Sequence, residues 1–286
     1  MRTKEKKSFM PDQNEQLQRG LAPRIVVRLA DQNGVLHMAA NRLLTRLIEL
    51  EAEGRKRIDI AITGGSDGIE MLRLVGLNPL VDSVDWSRVH MWGGDERFVP
   101  ANDPDRNALQ ARHALLDMLV SQKGLPESNI HEIPADPRSA TERNQASAED
   151  DARAVNEAAV KFQQMLLQEL GNMNGEPRMD IAWWGVGPDA HFASLMPGLP
   201  QISITDPSQL TCGVPNSPNM PPLRVSMTVP MIQRSLETWV IASGEKKRDA
   251  LSKALGNFDD PAAPITFAAG RKSTIWMVDV AAAPRA

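Results

Sequence analysis

The sequence predicts an α/β fold: a mostly parallel β-sheet with helices on both faces, in a single domain. Short apolar runs rich in β-branched residues alternate along the chain with longer segments whose apolar residues recur at helical spacing. Glycine-containing loops follow several of the apolar runs. This alternation is typical of a parallel sheet, because two parallel strands must be joined by a crossover connection, usually a helix.

The strand and helix patterns alternate over most of the chain. Strand patterns occupy 24–29, 58–63, 89–92, 179–186, 224–229, 238–242 and 273–280. Helix patterns occupy 34–53, 69–75, 105–119, 146–170, 231–235 and 246–255. Asp105 is the predicted cap of the helix at 105–119. Residues 199–222, rich in Pro, Ser and Asn, are predicted to form a long loop.

The chain shows no internal repeat and no clear linker, so residues 21–286 are predicted to form one domain. Residues 1–20 are polar and unpatterned, and we expect a disordered N-terminal extension there. This segment lacks the apolar core of a signal peptide, and no apolar run reaches the roughly 20 residues that a membrane span needs. A cytoplasmic protein without membrane contact is therefore expected.

Composition narrows the classes of function. Lys and Arg number 32 against 36 Asp and Glu, a net charge of −4, whereas a nucleic-acid-binding domain is usually basic. Cys212 is the single cysteine, which excludes a disulfide scaffold. No two histidines lie at close helical spacing, so a metal site is not indicated. His37, His90 and His113 fall within helix or strand patterns and are expected to pack or to lie on the surface, whereas His131 is undecided.

A glycine-rich turn links the strand pattern at 58–63 to the helix that follows it. Gly64, Gly65 and Ser66 form this turn. Glycines there let backbone N–H groups approach a ligand, and the N-terminus of the following helix attracts an anion. The turn therefore indicates either a phosphate site or a tight connection that binds nothing.

A charged loop follows the strand pattern at 89–92. Asp95, Glu96 and Arg97 lie in this loop. Sheets of this class bind ligands beyond the carboxyl ends of their strands. Arg97 therefore either holds a phosphate through two parallel hydrogen bonds or forms a structural ion pair with a neighbouring carboxylate.

The stretch from Gly185 to Gly198 is the most informative. It places Asp189 and His191 in a loop just past a hydrophobic strand. A neutral imidazole can take a proton from water near pH 7, and a carboxylate can fix its tautomer. A lone histidine is more often structural than catalytic, but the Gly-Pro-Asp context past a strand end favours the catalytic interpretation.

Cations occur at two further strand ends. Arg224 opens a strand pattern after two prolines, and Lys246 and Lys247 follow Gly244 at the end of another strand. Each cation by itself is either solvated surface charge or part of an anion site. Neither the nucleophile elbow of serine hydrolases nor a P-loop pattern is present.

Together these segments resemble the 6-phosphogluconolactonase family, from about residue 24 to residue 279. Six elements occur in the family's order: Gly64–Ser66, Asp95–Pro100, Asn107, Gly185–Gly198, Arg224–Thr228, and Gly244 with Lys247. Residues 274–279 are similar to the ending of actinobacterial members.

The resemblance implies a Rossmann-like α/β fold and hydrolysis of 6-phosphoglucono-δ-lactone to 6-phosphogluconate, in the oxidative pentose phosphate pathway. It implies a small sugar-phosphate substrate and no metal or other cofactor. By carry-over, His191 activates the attacking water and Asp189 orients it. The other matched positions are expected to bind the substrate and its phosphate: Gly64, Gly65, Ser66, Asp95, Arg97, Asn107, Arg224 and Lys247.

Four positions depart from the family pattern. Ala190 stands where the family has Gly, and at positive φ an alanine would cost about 1 kcal/mol or more and could displace His191. Phe192 replaces a smaller residue and is expected to crowd the pocket. Asp67 adds an anion that would weaken phosphate binding unless it points away or caps the helix. Arg106 stands where many members have Ser.

Two alternatives to the lactonase stay open. One is an aminosugar-phosphate deaminase or isomerase of the same superfamily, whose pattern after the histidine normally contains a Glu that assists ring opening. The matching stretch here, Phe192–Pro197, contains none. The other is a non-catalytic sugar-phosphate-binding protein that has lost turnover through Ala190 and Phe192, and binding without hydrolysis would indicate it.

Overall fold

The computed structural model describes residues 13–174 and 176–283 of the chain. Its α-helices are α1 (Gln13–Gln18), α2 (Gln32–Ala52), α3 (Ser66–Leu77), α4 (Asn107–Ala111), α5 (Asp117–Gln122), α6 (Ala140–Gln145), α7 (Ala148–Asn174), α8 (Val229–Ile232) and α9 (Arg248–Leu255). Its strands are β1 (Arg24–Leu29), β2 (Ile58–Ile62), β3 (Val89–Gly93), β4 (Asp95–Arg97), β5 (Ile130–His131), β6 (Ile181–Trp184), β7 (Thr211–Val214), β8 (Arg224–Met227), β9 (Glu237–Ala242) and β10 (Ser273–Asp279). A π-helical turn, Arg112–Leu116, joins α4 to α5.

Seven strands form one sheet in the order β1-β10-β9-β6-β2-β3-β5. Every neighbouring pair in this sheet is parallel. From the central β2–β6 pair, the chain order runs outward through β3 and β5 on one side and through β9 and β10 on the other. The sheet confirms the predicted mostly parallel α/β architecture.

Helices cover both faces of this sheet. On β6, Ile181 and Trp183 pack into a core with α2 and α3, whereas Ala182 and Trp184 pack into a second core with α7 and α9. The alternation follows from the two-residue period of a strand. Burial on both faces explains why the strand patterns are nearly continuous apolar runs. None of the helices in the described ranges is long and apolar enough to cross a membrane.

A second, antiparallel sheet in the order β4-β8-β7 differs from the prediction. The charged loop expected at 95–97 forms β4, and the long loop expected at 199–222 contains β7. The strand pattern at 224–229 forms β8, which pairs with these two strands and not with the parallel sheet. β4 and β7, of three and four residues, show no strand pattern in the sequence, so their pairing with a distant segment decides their conformation.

The helix predicted over 105–119 is capped from another element. α4 begins at Asn107, and its N-cap residue, Arg106, makes no capping hydrogen bond with its side chain. The Glu96 carboxylate on β4 accepts the N–H groups of Asn107 and Ala108 at 2.6 and 2.9 Å. The prediction that Asp105 caps this helix is therefore wrong, because a tertiary contact supplies the acceptors.

Of the segment 1–20, for which we expected a disordered extension, residues 13–18 form α1, and residues 1–12 lie outside the described residues. Gln16 on α1 is only 2% exposed. Its amide donates to Asp259 Oδ1 at 3.2 Å and to Thr266 O at 3.4 Å. Arg19 forms an ion pair with the same Asp259. This segment contacts the domain through polar side chains, so its sequence has no apolar pattern that would indicate the contact.

Candidate active site

Loops at the carboxyl ends of four adjacent strands, β9, β6, β2 and β3, meet in a cleft of about 160 Å³. The order of the strands reverses here, which is where open α/β sheets bind ligands. All but two of the predicted site residues line the cleft: Gly64, Gly65, Asp95, Arg97, Asn107, His191, Arg224 and Lys247. Asp189 is hydrogen-bonded to His191 at its edge, and Ser66 is the exposed first residue of α3.

The turn after β2 brings backbone N–H groups of α3 to the cleft. Gly65 is the N-cap of this helix and supplies no side-chain hydrogen bond, so the first N–H groups remain open. Gly64 lies directly against Asn107: a Cβ on Gly64 would be 1.9 Å from the Asn107 Oδ1. Only glycine therefore fits at this position, and the open helix end can bind an anion.

Asp67 points away from this helix end. Its carboxylate accepts the backbone N–H of Ser243 at 3.0 Å and the Ser243 hydroxyl at 2.9 Å. It also accepts the side-chain amide of Gln32 at 2.9 Å. Asp67 thus joins α3 to the end of β9. Because it points away from the helix end, it meets one of the two conditions under which it would not weaken phosphate binding.

Arg97 and Arg224 lie side by side on β4 and β8, as partners in the antiparallel register. Arg97 donates to the carbonyl of Asp105 at 2.8 Å, and Arg224 donates through Nε to that of Pro221 at 2.9 Å. Burial lowers the pKa of Arg224, against the opposing charge of Asp95. Within the described chain, neither guanidinium is within salt-bridge distance of a carboxylate, so the structural ion pair considered for Arg97 is not found.

Lys247 brings a third cation to the cleft from the other side. It ends a short 3₁₀ turn, Glu245–Lys247, that precedes α9, so the helix predicted from 246 begins at Arg248. Burial lowers the pKa of Lys247, while the charges of Asp67 and Asp189 act in the opposite direction. The described residues include no salt-bridge partner for its ammonium group.

Asp189 and His191 form a hydrogen-bonded pair at the mouth of the cleft. The carboxylate bonds to the imidazole Nδ1 and accepts the backbone N–H of His191 at 3.2 Å. Burial alone would raise the pKa of Asp189, but the hydrogen bond and charge of His191 outweigh it and lower the pKa to about 2. An ionised Asp189 makes Nδ1 the donor, which leaves Nε2 as the basic nitrogen.

Gly187 permits the close packing of this pair, and the sequence analysis did not single it out. A Cβ at Gly187 would lie 1.9 Å from the Nδ1 of His191 and 2.5 Å from the Oδ1 of Asp189. The Gly187 N–H donates to the His191 carbonyl at 2.8 Å. The Gly-Pro sequence before Asp189 was the signal available, because a glycine in a loop beside two functional side chains often marks a close approach.

Ala190 and Phe192 flank the histidine. Ala190 is fully buried and has φ +67°, so the positive φ considered for this position is present. Phe192 is also fully buried, and its ring packs edge-on against Trp184 at 5.7 Å between centroids. Phe192 is not among the residues that line the cleft, so the expectation that it crowds the pocket is wrong.

The floor of the cleft is a polar network. The Asp95 carboxylate accepts the hydroxyl of Ser194 at 2.8 Å, and the Asp95 carbonyl accepts the side-chain amide of Asn107 at 3.0 Å. Among the described residues, no group of three or more His, Cys, Asp and Glu side chains could hold a metal ion. Three cations and open backbone N–H groups suit an anionic group, and the imidazole adds a base beside it.

The undecided His131 lies in β5, outside this cleft. Its Nε2 is 3.0 Å from the Nδ1 of His90, and its ring stacks on Trp92 at 3.8 Å. The structure confirms that His90 lies in a strand and places both rings in packing contacts.

The sequence is similar to that of known proteins over most of its length. The sequence profile described as glucosamine-6-phosphate isomerases/6-phosphogluconolactonase matches residues 30–276. A Streptomyces coelicolor protein named 6-phosphogluconolactonase is 36% identical over 266 residues, 91% of this chain and 94% of that protein. A Mycobacterium leprae protein with the same name is 36% identical over 247 residues, 86% of this chain and 92% of that protein.

A solved structure shares the fold. The crystal structure of 6-phosphogluconolactonase from Leishmania guyanensis aligns with a TM-score of 0.75 at 20% identity, covering 92% of this chain and 98% of that chain. The two relatives above come from actinobacteria, which confirms the resemblance to actinobacterial members. The chain therefore belongs to the glucosamine-6-phosphate isomerase/6-phosphogluconolactonase family.

Proposed function

We propose that this protein hydrolyses 6-phosphoglucono-δ-lactone to 6-phosphogluconate, the lactone-opening step of the oxidative pentose phosphate pathway. The observation that carries the proposal is that one cleft combines the Asp189–His191 pair with three cations, Arg97, Arg224 and Lys247. Such a substrate has a phosphate at one end and an electrophilic carbonyl at the other. A cytoplasmic location belongs to the same proposal, because sugar phosphates are intracellular metabolites.

The cations anchor the phosphate end. Guanidinium groups form directional, charge-assisted hydrogen bonds to phosphate oxygens, and the open N–H groups at the start of α3 add to them. Arg97 and Arg224 face the phosphate from the second sheet, and Lys247 faces it from the parallel sheet. Anchoring one end of the lactone fixes its carbonyl relative to His191, so that water attack becomes a positioned reaction.

His191 supplies the base. Its Nε2 takes a proton from water while the water oxygen bonds to the lactone carbonyl carbon, and Asp189 stabilises the imidazolium that forms. The tetrahedral adduct then breaks the bond to the ring oxygen. That oxygen takes the proton from His191 as it leaves and becomes a hydroxyl group, and the new carboxyl group loses its proton to solvent.

A serine nucleophile is not needed, and the one serine in the same loop is not placed to act as one. Ser194 is fully buried, and its hydroxyl donates to Asp95 at 2.8 Å. The family profile also covers aminosugar-phosphate isomerases. The stretch Phe192–Pro197, which contains no Glu, and the names of the two relatives above favour the lactonase over the deaminase.

A coupled assay on freshly made lactone tests the proposal. We expect 6-phosphogluconate, detected with its dehydrogenase, to form faster than by spontaneous hydrolysis in the same buffer. The unphosphorylated gluconolactone should be a poor substrate, because it offers nothing to the three cations. Release of ammonia from glucosamine 6-phosphate would favour the deaminase, and binding of 6-phosphogluconate without turnover would favour the non-catalytic alternative.

A further inference from the structure

A buried carboxylate behind the cleft has no role in the chemistry described so far. Glu96 on β4 is 2% exposed. Its carboxylate accepts three backbone N–H groups: Asn107 at 2.6 Å, Arg97 at 2.8 Å and Ala108 at 2.9 Å. Two of these donors are the first N–H groups of α4, and the third belongs to a cation of the cleft.

These three hydrogen bonds connect the parts of the phosphate-binding side. Arg97 and Asn107 both line the cleft. The side-chain amide of Asn107 donates to the Asp95 carbonyl at 3.0 Å, and its Oδ1 lies against the Cα of Gly64. One carboxylate therefore sets the spacing between β4, the start of α4 and the glycine turn that leads into α3.

The charges around Glu96 compensate its burial only in part. Arg106 faces it from the start of α4, with Nη1 at 3.9 Å, and this nitrogen has no hydrogen-bond partner among the described residues. Arg106 Nη2 lies 3.5 Å from Glu132, and Arg224 faces Glu96 from β8. Asp95 and Arg97 flank it on its own strand. Burial raises the pKa of Glu96 to about 7, against Arg106 and the three N–H bonds.

We propose that Glu96 is a positioning residue: its ionised carboxylate holds Arg97 and Asn107 in place, and its protonation weakens phosphate binding while leaving the chemical step nearly unchanged. The inference rests on the proposed function, in which these residues bind the substrate. A neutral carboxyl group accepts hydrogen bonds more weakly than a carboxylate does. Its added proton would also face backbone N–H groups, which are donors and cannot accept it. The N–H groups of Arg97 and Asn107 would then lose part of their support.

Sulfate inhibition of the wild-type enzyme tests this without a variant. Sulfate stays a dianion from pH 6 to pH 8.5, so its affinity reports the protein's ionisation and not its own. We expect its inhibition constant to rise as the pH falls through about 7. Protonation of His191 by itself would add a positive charge and have the opposite effect, so tighter sulfate binding toward acid pH would overturn the proposal.

Glu96→Gln tests the carboxylate directly, with Glu132→Gln as the matched control. Glu132 shares Arg106 as a neighbour but binds no residue of the cleft. We expect E96Q to raise KM at pH 8 about tenfold, equivalent to roughly 1.4 kcal/mol, with kcat within about threefold. Sulfate inhibition should lose its acid-side weakening in E96Q and keep it in E132Q.

Two outcomes for E96Q count against a positioning role. A variant with the wild-type KM and pH profile would show that the charge is irrelevant. Equal loss in kcat and in sulfate affinity at every pH would show a general structural role. If E96Q does not fold, the pH dependence of sulfate inhibition in the wild-type enzyme still tests the proposal. The sulfate binding can be followed by calorimetry without turnover, so an inactive wild-type enzyme would remove the proposed function and leave this test in place.

Discussion

At the scale of single residues, the proposed chemistry depends on one imidazole. The side chain of His191 is 19% exposed, its Nδ1 is held by Asp189, and its Nε2 is left for a water molecule. Replacement by Asn keeps a polar side chain but removes the base. We expect His191→Asn to lower kcat by a factor of about 10² to 10⁴, the usual contribution of a positioned base.

The proposed phosphate contacts come from other residues, so His191→Asn should bind 6-phosphogluconate almost as tightly as the wild type in calorimetry. His113→Asn is the matched control, because His113 is exposed on the π-helical turn and does not line the cleft. A His191→Asn enzyme that keeps most of its rate over the spontaneous background would remove His191 from the mechanism.

Ala190, which precedes His191 in the loop, has a backbone conformation that favours glycine. Its φ of +67° lies in the left-handed region, where a Cβ costs about 1 kcal/mol or more. Its carbonyl also accepts the N–H of Ile265 at 2.9 Å, which keeps the peptide in place. We expect Ala190→Gly to keep or raise kcat and to raise Tm slightly, because relief of strain exceeds the entropy that glycine adds to the unfolded chain.

Thermal melts and steady-state kinetics check this expectation. Ala39→Gly in the middle of the buried face of α2 is the control, and it should lower Tm, since glycine is unfavourable inside a helix by about 1 kcal/mol. A marked fall in kcat for Ala190→Gly would mean that the surrounding loop needs the methyl group and that strain does not limit activity.

At the scale of elements, α1 is attached to the domain through polar contacts. Gln16 is buried against Asp259 and Thr266, and Arg19 pairs with Asp259. Burial raises the pKa of Asp259, and the charge of Arg19 opposes this shift. Loss of the helix would leave this half-buried carboxylate without its contacts to Gln16 and Arg19, which would lower the free energy of unfolding.

We therefore expect a deletion of residues 1–20 to lower Tm by several degrees relative to a deletion of residues 1–12. The second deletion is the control, because it keeps Gln16 and Arg19. Differential scanning calorimetry of the two truncated proteins measures the difference. Equal Tm values would show that α1 contributes nothing to stability, as the polar sequence of residues 1–20 first suggested.

Six of the seven strands of the parallel sheet, together with β8, could be predicted from local patterns, whereas β4 and β7 could not and β5 was left undecided. β1 has the predicted bounds, Arg24–Leu29, because β-branched residues between polar segments favour a strand by themselves. β4 consists of three charged residues that pair with β8 more than 120 positions away along the chain. No local preference in Asp95–Arg97 indicates a strand, so only the tertiary pairing determines it.

At the scale of the whole molecule, two buried groups give opposite pH dependences of stability. Burial, then the charges of His90 and Arg57, lower the pKa of His131 to about 4, with Asp59 opposing. Between pH 4 and about 6.5 the folded protein thus binds fewer protons at His131 than the unfolded chain does, so acidification through this window lowers stability. Glu96, with its raised pKa, acts in the other direction between about pH 4.5 and 7.

Replacement of His131 by Gln should separate the two effects. The variant loses stacking on Trp92 and is expected to melt lower than the wild type at pH 7.5. The variant no longer loses stability through His131 at acid pH. The difference in Tm between the variant and the wild type should therefore be a few degrees smaller at pH 4.5 than at pH 7.5. His113→Gln, at an exposed position, is the control. A gap that is constant from pH 4.5 to 7.5 would contradict the assignment.

In the candidate site, too, some features could be predicted from the sequence and others are determined only by the tertiary structure. The sequence indicated Gly64 and Gly65, the Asp189–His191 pair and the cations at 97, 224 and 247, because each lies beside a predicted strand end. That these loops face one another depends on the strand order β9-β6-β2-β3, which no segment of the sequence contains. Strand order is decided by which apolar faces pack together across the whole sheet.

Side-chain direction was the other property that local sequence left open. Asp67 turns to Ser243, Phe192 turns into the core beside Trp184, and Glu96 turns under the cleft to cap α4. Alternation of apolar residues and turn-forming glycines act within a few positions of the chain, so the sequence alone determined the parallel α/β fold and the loops that carry the chemistry. The directions of Asp67 and Glu96 depend on partners that lie 11 or more positions away, because a buried polar group must find its hydrogen bonds wherever the folded chain brings them.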